Sequence, residues 1–192
     1  MVDTTVTEPF SDTSDTRFVA NFAPIHRGIA LVRGIGATAA RYAPLPVRLM
    51  MGIGFLFHGL PKLSGVGHAN FAAMLGAGGV PAPSATAWFV GLVETIGAVG
   101  LLAGALTGLW AVLLSINMIV AAVMVHAPWG FGFMNIIGQG PGGTPILGMP
   151  GVEVNLLYLS ALVALFLSGA GPLSVDAWWD LRKREAAPVT EP

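Results

Sequence analysis

The sequence predicts an all-α integral membrane protein that folds as a bundle of four transmembrane helices. Its composition is the first reason, because 54% of its residues are hydrophobic and 10% are charged, whereas soluble domains carry roughly 25% charged residues. The second reason is length, since a helix needs roughly 20 mostly apolar residues to cross a bilayer. Four stretches meet this requirement: residues 44–63, 87–107, 109–127 and 153–171.

Tryptophan placement is the third reason, because amphipathic rings favour the boundary between membrane and water. All five tryptophans fall near the ends of the predicted spans: Trp88, Trp110, Trp129, Trp178 and Trp179. The first span also opens with Pro44 and Pro46, a residue type that suits the first turn of a helix.

The residues before the first span divide into two parts. Residues 1–23 are polar and acidic, and they lack the basic start and apolar core of a secretory signal, so they predict a disordered tail. In residues 24–43, Ile25, Ile29 and Val32 recur at helical spacing with arginines between them. This pattern favours an amphipathic helix that lies on the membrane surface.

The connections between spans differ in length. Only Thr107 and Gly108 separate the second span from the third, which predicts a tight helical hairpin. Residues 64–86 and 128–152 are rich in glycine and proline, and both predict loops. Gly100 and Gly104 continue the spacing of Gly108 on one face of the second span, where a neighbouring backbone can approach closely.

The last segment, residues 172–192, predicts a short cytoplasmic helix followed by a tail. Ser174 stands where the N-cap of that helix would lie. Trp178, Trp179 and a basic end follow, as is typical of a helix that binds the membrane surface.

The positions of lysine and arginine predict the orientation in the membrane. Five arginines precede or open the first span, three basic residues follow the last span, and Lys62 alone lies elsewhere. Cytoplasmic flanks retain positive charge, so we expect a multi-pass protein with both termini in the cytoplasm. The loops at 64–86 and 128–152, which hold no lysine or arginine, then face outward.

Ionisable side chains inside the predicted spans converge on the outer half of the bundle. A charge at membrane depth costs roughly 2.5–3.5 kcal/mol, so these groups should face the bundle interior or reach an interface. Arg48 lies near the cytoplasmic side, whereas five ionisable groups from all four spans lie in the outer half. The outer set is His58, Lys62, Glu94, His126 and Glu153, with Asn117 and Asn155 as uncharged companions.

Several of these residues have simpler structural explanations. Arg48 fits an anchor at the cytoplasmic surface, and Lys62 can extend to the outer interface. His126 follows a helix C-terminus and Glu153 opens a helix, where the helix dipole favours their charges. In the outer loop, we expect His68 to be solvated.

Glu94 is the hardest of these residues to explain in this way. It lies about two helical turns from the predicted outer end of the second span, too deep to reach water easily. Its carboxyl group must therefore be neutral or paired. Lys62 and His58 are the nearest cationic candidates by depth.

The composition also limits the chemistry. The chain has no cysteine, which excludes disulfides, thiolate ligands and thiol redox reactions. We find no motif for nucleotides, flavins or iron–sulfur clusters, predict no metal site and expect no nucleic-acid partner.

Three segments together resemble the DoxX family of small four-helix membrane proteins. In "LPVRLMMGIGFLFHGLPKLSG", Arg48, Gly52, Gly59 and Lys62 occupy the family's opening pattern of Arg, Gly, Gly and Lys. In "GLVETIGAVGLLAG", Glu94 fits the glutamate of the second helix. "HAPWGFGFMN" is similar to the family's aromatic loop after the third helix.

The resemblance extends to the fourth helix and covers about residues 45–178. The ending "SGAGPLSVDAW" is similar to the family's Gly-Gly-Ser-Asp pattern, matched by Gly169, Gly171, Ser174 and Asp176. The tail at 1–43 and the insert "GQGPGGTPILGMP" fall outside the usual pattern. Members are associated with membrane redox assemblies, including thiosulfate:quinone oxidoreductases. The resemblance therefore implies an oxidoreductase subunit in the bacterial inner membrane.

Three functions are open at this point, and whether the chain is itself an enzyme is open with them. In the first, the chain is a subunit of a quinone-linked redox complex. His58 and Lys62 would donate to a quinone carbonyl, Glu94 would relay protons, and His126 and Asn155 would complete the pocket. In the second, it is a non-catalytic scaffold that docks partner proteins. In the third, His58 and His126 bind haem. Expected partners are the lipid bilayer and proteins of a membrane complex, with a homo-oligomer as an alternative.

Overall fold

The structure, a computed structural model, describes residue 36 and residues 39–186. The predicted tail at 1–23, most of the predicted surface helix at 24–43 and residues 187–192 lie outside the described residues. From residue 41 to residue 186 the helices are α1 Pro44–Gly59, α2 Gly65–Ala77, α3 Pro83–Ala103, α4 Thr107–Ala121, α5 Glu153–Ser168 and α6 Val175–Glu185.

Short irregular elements extend two of these helices and connect two others. A 3-10 turn, Leu60–Leu63, extends α1, and a π turn followed by a 3-10 turn extends α4 as far as Trp129. Between α4 and α5 the chain forms a two-stranded antiparallel hairpin of β1, Ile136–Gln139, and β2, Pro145–Leu147.

The helices confirm the predicted class of an all-α membrane protein. Two of them, Pro83–Ala103 with 21 residues and Thr107–Trp129 with 23 residues, are long and apolar enough to cross a membrane. The segment Pro44–Leu63 qualifies when taken together with α2, from which it is bent by 90°. With 16 residues, α5 is apolar but shorter than the roughly 20 residues that a perpendicular span needs.

A core of apolar side chains joins α1, α3, α4 and α5. Helix α1 packs on α3, α3 on α4, α4 on α5, and α5 on α1. The contacts at the centre come from two residues of each helix: Met51, Phe55, Ala98, Leu101, Ala111, Leu114, Leu162 and Leu165.

Gly52 shows how closely α1 and α3 approach each other. A Cβ atom at Gly52 would lie 2.6 Å from Cγ of Leu102 and 3.0 Å from the carbonyl oxygen of Ala98. A larger side chain would therefore separate the two helices. Small residues at helix contacts are the usual way to bring membrane helices together, because lipid offers no hydrophobic driving force for their association.

Two differences from the predicted boundaries affect how the helices are arranged. Residues 65–77 form helix α2 where a loop was predicted. The turn between α3 and α4 lies at residues 104–106 and not at 107–108. Gly104 and Leu106 both have left-handed backbone, with φ of 64° and 53°. This conformation is easy for glycine but costly for leucine, so Leu106 gave no sign of the turn in the sequence.

At the α6 end of the bundle, Arg48 is buried rather than exposed. Its side chain is 2% exposed, and its two terminal nitrogens donate to the carbonyl oxygens of Ala170 and Leu173, each at 2.6 Å. Both carbonyls lie just beyond α5, where backbone acceptors have no partner within the helix. Arg48 therefore ties α1 to the end of α5, and the expectation that it anchors the chain at the membrane surface is wrong.

Asp176 completes this contact region, which we call the Arg48–Asp176 cluster. The two carboxylate oxygens of Asp176 accept from the backbone N–H groups of Leu106, at 2.7 Å, and Thr107, at 2.9 Å. These amides open α4 and need an external acceptor. Ser174 accepts from the N–H of Ala177 at 3.1 Å, which confirms the predicted N-cap of α6.

Replacing Arg48 tests the cluster. Arg48→Met keeps a long apolar side chain but removes two charge-assisted hydrogen bonds, each worth about 1.5–3 kcal/mol. We expect the free energy of unfolding to fall by about 3 kcal/mol, measured by SDS titration in detergent micelles with circular dichroism. The matched control is Arg184→Met in the exposed last turn of α6, which should change the value by less than about 0.5 kcal/mol. Equal effects of the two substitutions would contradict the assignment.

Candidate functional site

A cavity of about 400 Å³ lies among α1, α2, α3, α4 and α5. Its wall is mostly apolar, with Phe71, Met74 and Leu75 of α2 on one side and Met118 and Met124 from α4 and its extension on another. Polar side chains interrupt this surface at eight positions: His58, Lys62, Thr86, Glu94, Asn117, His126, Asn155 and Tyr158. A mostly apolar pocket with a few convergent polar groups is the usual form of a small-molecule site.

Glu94 is the best-connected polar residue of the cavity. It is 2% exposed, and both of its carboxylate oxygens have donors. Lys62 forms an ion pair with Oε2, and the Nδ2 group of Asn117 donates to Oε1 at 2.7 Å. The ion pair offsets the free-energy cost of burying the carboxylate. It also joins α1 to α3, and the hydrogen bond from Asn117 joins α4 to the same carboxylate.

Two glycines and a proline bring Lys62 to Glu94. Pro61 lies in the 3-10 turn that follows α1, so Lys62 leaves the regular helix just before the chain bends. A Cβ atom at Gly59 would lie 2.9 Å from Cβ of Glu94, and one at Gly91 would lie 3.1 Å from Cβ of Lys62. Both helices therefore carry glycine where the paired residues approach.

Lys62 also faces α2. Its ammonium group lies 4.7 Å from the centre of the Phe71 ring, a cation–π distance. Its backbone carbonyl accepts a hydrogen bond from Nδ1 of His68 at 2.8 Å. The other ring nitrogen of His68 lies 3.0 Å from Oγ of Ser84, and the ring packs against Trp88. The expectation that His68 is solvated is therefore wrong, because it fastens α2 to α3.

His58 lines the cavity but is not a partner of Glu94. Its ring is exposed and meets the ring of Tyr158 edge-on, with 6.5 Å between the centroids. Tyr158 lies against α1 at Gly54, where a Cβ atom would be 2.5 Å from the phenolic oxygen. Between the two predicted cationic candidates, the structure thus pairs Glu94 with Lys62.

His126 lies at another part of the cavity wall. Its Nδ1 atom is 2.7 Å from the carbonyl oxygen of Pro150. Since a carbonyl only accepts, Nδ1 of His126 donates this bond. The bond ties the end of the α4 extension to the segment before α5. The proposed haem ligation by His58 and His126 stays a prediction, which a visible spectrum of purified protein without a Soret band would refute.

Asn155 is the one predicted site residue whose amide lacks a strong partner among the described residues. It is 5% exposed, its Oδ1 atom has no hydrogen-bond partner, and its Nδ2 atom reaches Sδ of Met118 at 3.9 Å. Leaving a buried polar atom unpaired costs about 1–3 kcal/mol. An amide in this state on a cavity wall is suited to a ligand with a carbonyl or hydroxyl group.

Glu153 is separate from the cavity. One of its carboxylate oxygens accepts from the backbone N–H of Phe133 at 3.0 Å, so it fixes the loop that precedes the hairpin. The structure thus gathers His58, Lys62, Glu94, His126 and Asn155 around one cavity and leaves Glu153 outside.

Sequence reasoning missed two contributions to the cavity. The sequence did not indicate that Tyr158 lines the cavity, because a single aromatic residue in an apolar helix normally belongs to the hydrophobic core. The wall formed by α2 was missed because residues 65–77 contain three glycines, and glycine disfavours a helix by about 1 kcal/mol.

Apolar spanning helices around a buried ion pair define a helical membrane protein with an internal polar site. The model of the DoxX family matches residues 43–127, which contain α1 to α4, Lys62, Glu94 and Asn117. The chain thus contains a DoxX domain over these residues, which confirms the predicted resemblance there. Asn155 and Tyr158 on α5 lie beyond the matched segment. No curated protein and no solved structure gave a significant match.

A double-mutant cycle tests the Lys62–Glu94 pair. Lys62→Met leaves the carboxylate of Glu94 buried with Asn117 as its donor, and we expect the free energy of unfolding to fall by about 2–3 kcal/mol. Lys62→Met combined with Glu94→Gln should lose clearly less than the sum of the two single substitutions, because no unpaired charge remains. SDS titration in detergent micelles measures each value, with Lys183→Met in α6 as the exposed control. Additive losses would contradict a direct pair.

Proposed function

We propose that the chain is the membrane subunit of a quinone-linked redox complex and that its cavity receives the quinone headgroup. The observation that carries this proposal is the Lys62–Glu94 pair at the wall of a mostly apolar cavity. Such a site suits a ring that is apolar on its faces and polar at its carbonyl oxygens. The DoxX domain at residues 43–127 adds support by analogy, because the family suggests a redox-related membrane protein.

The proposed membrane arrangement is a four-helix bundle with both termini in the cytoplasm of a bacterial cell. Helices α1, α3, α4 and α5 each pack on two of the others in a closed order, which supports a bundle. Basic residues lie at both ends of the chain, while Lys62 pairs inside the protein. The Arg48–Asp176 cluster then lies near the cytoplasm and the cavity lies in the outer half.

In this proposal, some cavity residues bind the quinone and others transfer protons. Quinone, when bound, takes up two electrons and two protons to become quinol. Lys62 can turn from Glu94 to hydrogen-bond one carbonyl oxygen, and Glu94 can then hold or deliver a proton at its carboxylate. Asn155 offers its amide to the second oxygen. His58, which also lines the cavity, can pass protons to the site.

Electrons must reach the site from a partner protein in this proposal. The sequence holds no motif for a flavin, nucleotide or iron–sulfur cluster, so we assign the electron donor to another subunit of the complex. This makes the chain one part of an oxidoreductase, in which it holds the membrane-soluble reactant.

Quinone titrations test the site. Purified protein in nanodiscs should bind ubiquinone or menaquinone, followed by quenching of tryptophan fluorescence. Lys62→Met and Asn155→Ala each remove the donor to one quinone oxygen and should each raise Kd by about tenfold or more. Glu153→Gln is the control for a polar residue outside the cavity and should leave Kd unchanged. Unchanged binding in both cavity variants would refute the site.

A non-catalytic scaffold is the second candidate function, and one observation favours it. Both carboxylate oxygens of Glu94 are already paired with side chains of this chain, as in a purely structural network. In that case Glu94→Gln should weaken the bundle, and no quinone should bind to the unaltered protein. Purification from native membranes would then have to yield the partner that the scaffold holds.

A further inference from the structure

The hairpin region, residues 130–150, exposes an unusually apolar surface. Six of its side chains are more than half exposed: Phe131, Phe133, Met134, Ile136, Ile137 and Leu147. An exposed apolar patch of this kind marks an interaction surface, because soluble proteins avoid it. From this surface we infer that the hairpin region is seated in the lipid headgroup layer at the end of α4 and acts as a membrane-surface anchor.

The absence of charge favours lipid over a protein partner. Residues 127–152 include no Asp, Glu, Lys, Arg or His. Surfaces that dock proteins usually surround an apolar centre with a polar and charged rim, in which arginine is frequent. Here Asn135, Gln139 and Thr144 are the main polar side chains, and Asn135 is engaged internally with the carbonyl oxygen of Met149 at 2.9 Å.

The hairpin surface continues the apolar outer face of α4. Val120 and Val123, on the last turns before the hairpin, are 48% and 67% exposed, and the candidate span that contains them ends at Trp129. Trp129 packs at the base of the hairpin, where a Cβ atom on Gly148 would lie 2.6 Å from its ring. Since tryptophan favours the headgroup level, the hairpin begins where the hydrocarbon ends.

The base of the hairpin is held in a fixed position. Backbone N–H groups of Gly148, Gly151 and Val152 donate to carbonyl oxygens of Asn135, Gly132 and Gly130 at 2.8, 2.9 and 3.0 Å. The carboxylate of Glu153 accepts a further bond from the N–H of Phe133. The apolar side chains therefore project from a braced unit, and little conformational entropy is lost when they contact lipid.

Backbone hydrogen bonding limits how deep the hairpin can lie. A two-stranded sheet leaves the outer edges of both strands unpaired, and such groups are not tolerated in hydrocarbon. In water, the same apolar edges would favour aggregation. The headgroup layer satisfies both requirements, because it supplies water to the edges and apolar contact to the side chains.

Fluorescent labels on introduced cysteines test this inference. The chain has no cysteine of its own, so the dye reacts only at the introduced position. Leu147→Cys and Ile136→Cys, which pair across the two strands, are each labelled with an environment-sensitive dye in full-length protein. The protein is placed in phosphatidylcholine/phosphatidylglycerol nanodiscs, in which both membrane faces are accessible. Glu185→Cys in the exposed last turn of α6 is the aqueous reference.

We expect blue-shifted emission at both hairpin positions relative to the reference. Nitroxide on the lipid headgroup should quench these labels several-fold more than aqueous iodide does, and more than nitroxide in the middle of the acyl chain. The reference label should instead be quenched more strongly by iodide than by either lipid nitroxide. Because two positions are labelled separately, a change in structure caused by one cysteine substitution would show as disagreement between them.

Three results would overturn the inference. Strong iodide quenching at both positions would place the hairpin in water. A blue shift without quenching by any lipid nitroxide would mean that protein covers it, as in contact with a second copy. Strongest quenching by mid-chain nitroxide would place the hairpin in the hydrocarbon instead of the headgroup layer.

Discussion

The carboxylate of Glu94 imposes the main constraint on this molecule, because a charge within an apolar bundle requires partners. Lys62 and Asn117 supply them, so one carboxylate sets the spacing of α1, α3 and α4. Glycine at positions 59 and 91 follows from the same constraint, since a larger residue would separate the helices that carry the pair. The cavity exists beside this contact because the chain bends by 90° just after Lys62, which carries α2 across one side of it.

A second polar contact region at the opposite ends of α1 and α3 complements the first. In the Arg48–Asp176 cluster, Arg48 binds carbonyls beyond α5 and Asp176 binds amides at the start of α4. Both contacts satisfy backbone groups that helix ends leave free. Apolar attraction is weak between helices in lipid, so these two polar regions stabilise an arrangement that the apolar core alone would specify poorly. Arg48, Ser174 and Asp176 thus have a structural explanation, whereas Lys62 and Glu94 face a cavity.

Much of the site could be predicted from residue type and depth. The membrane class and the convergence of His58, Lys62, Glu94, His126 and Asn155 follow from the cost of polar groups in lipid, which depends on each residue alone. The shape around them could not be predicted in this way. Helix α2 forms despite its glycines because Phe71 and His68 pack against Lys62, Ser84 and Trp88, and these contacts outweigh a weak local preference. The turn at Leu106 is likewise stabilised by a distant residue, Asp176.

The sequence by itself determined that this protein enters a membrane and that Glu94 must be paired or neutral, since both conclusions follow from composition and local hydropathy. Only the tertiary structure decided that the partner is Lys62 and not His58. That choice depends on how α1 is rotated and on the 3-10 turn at Pro61, which direct the two side chains differently. The tertiary structure also decided that Arg48 is buried, because its acceptors lie more than 100 residues away in the chain.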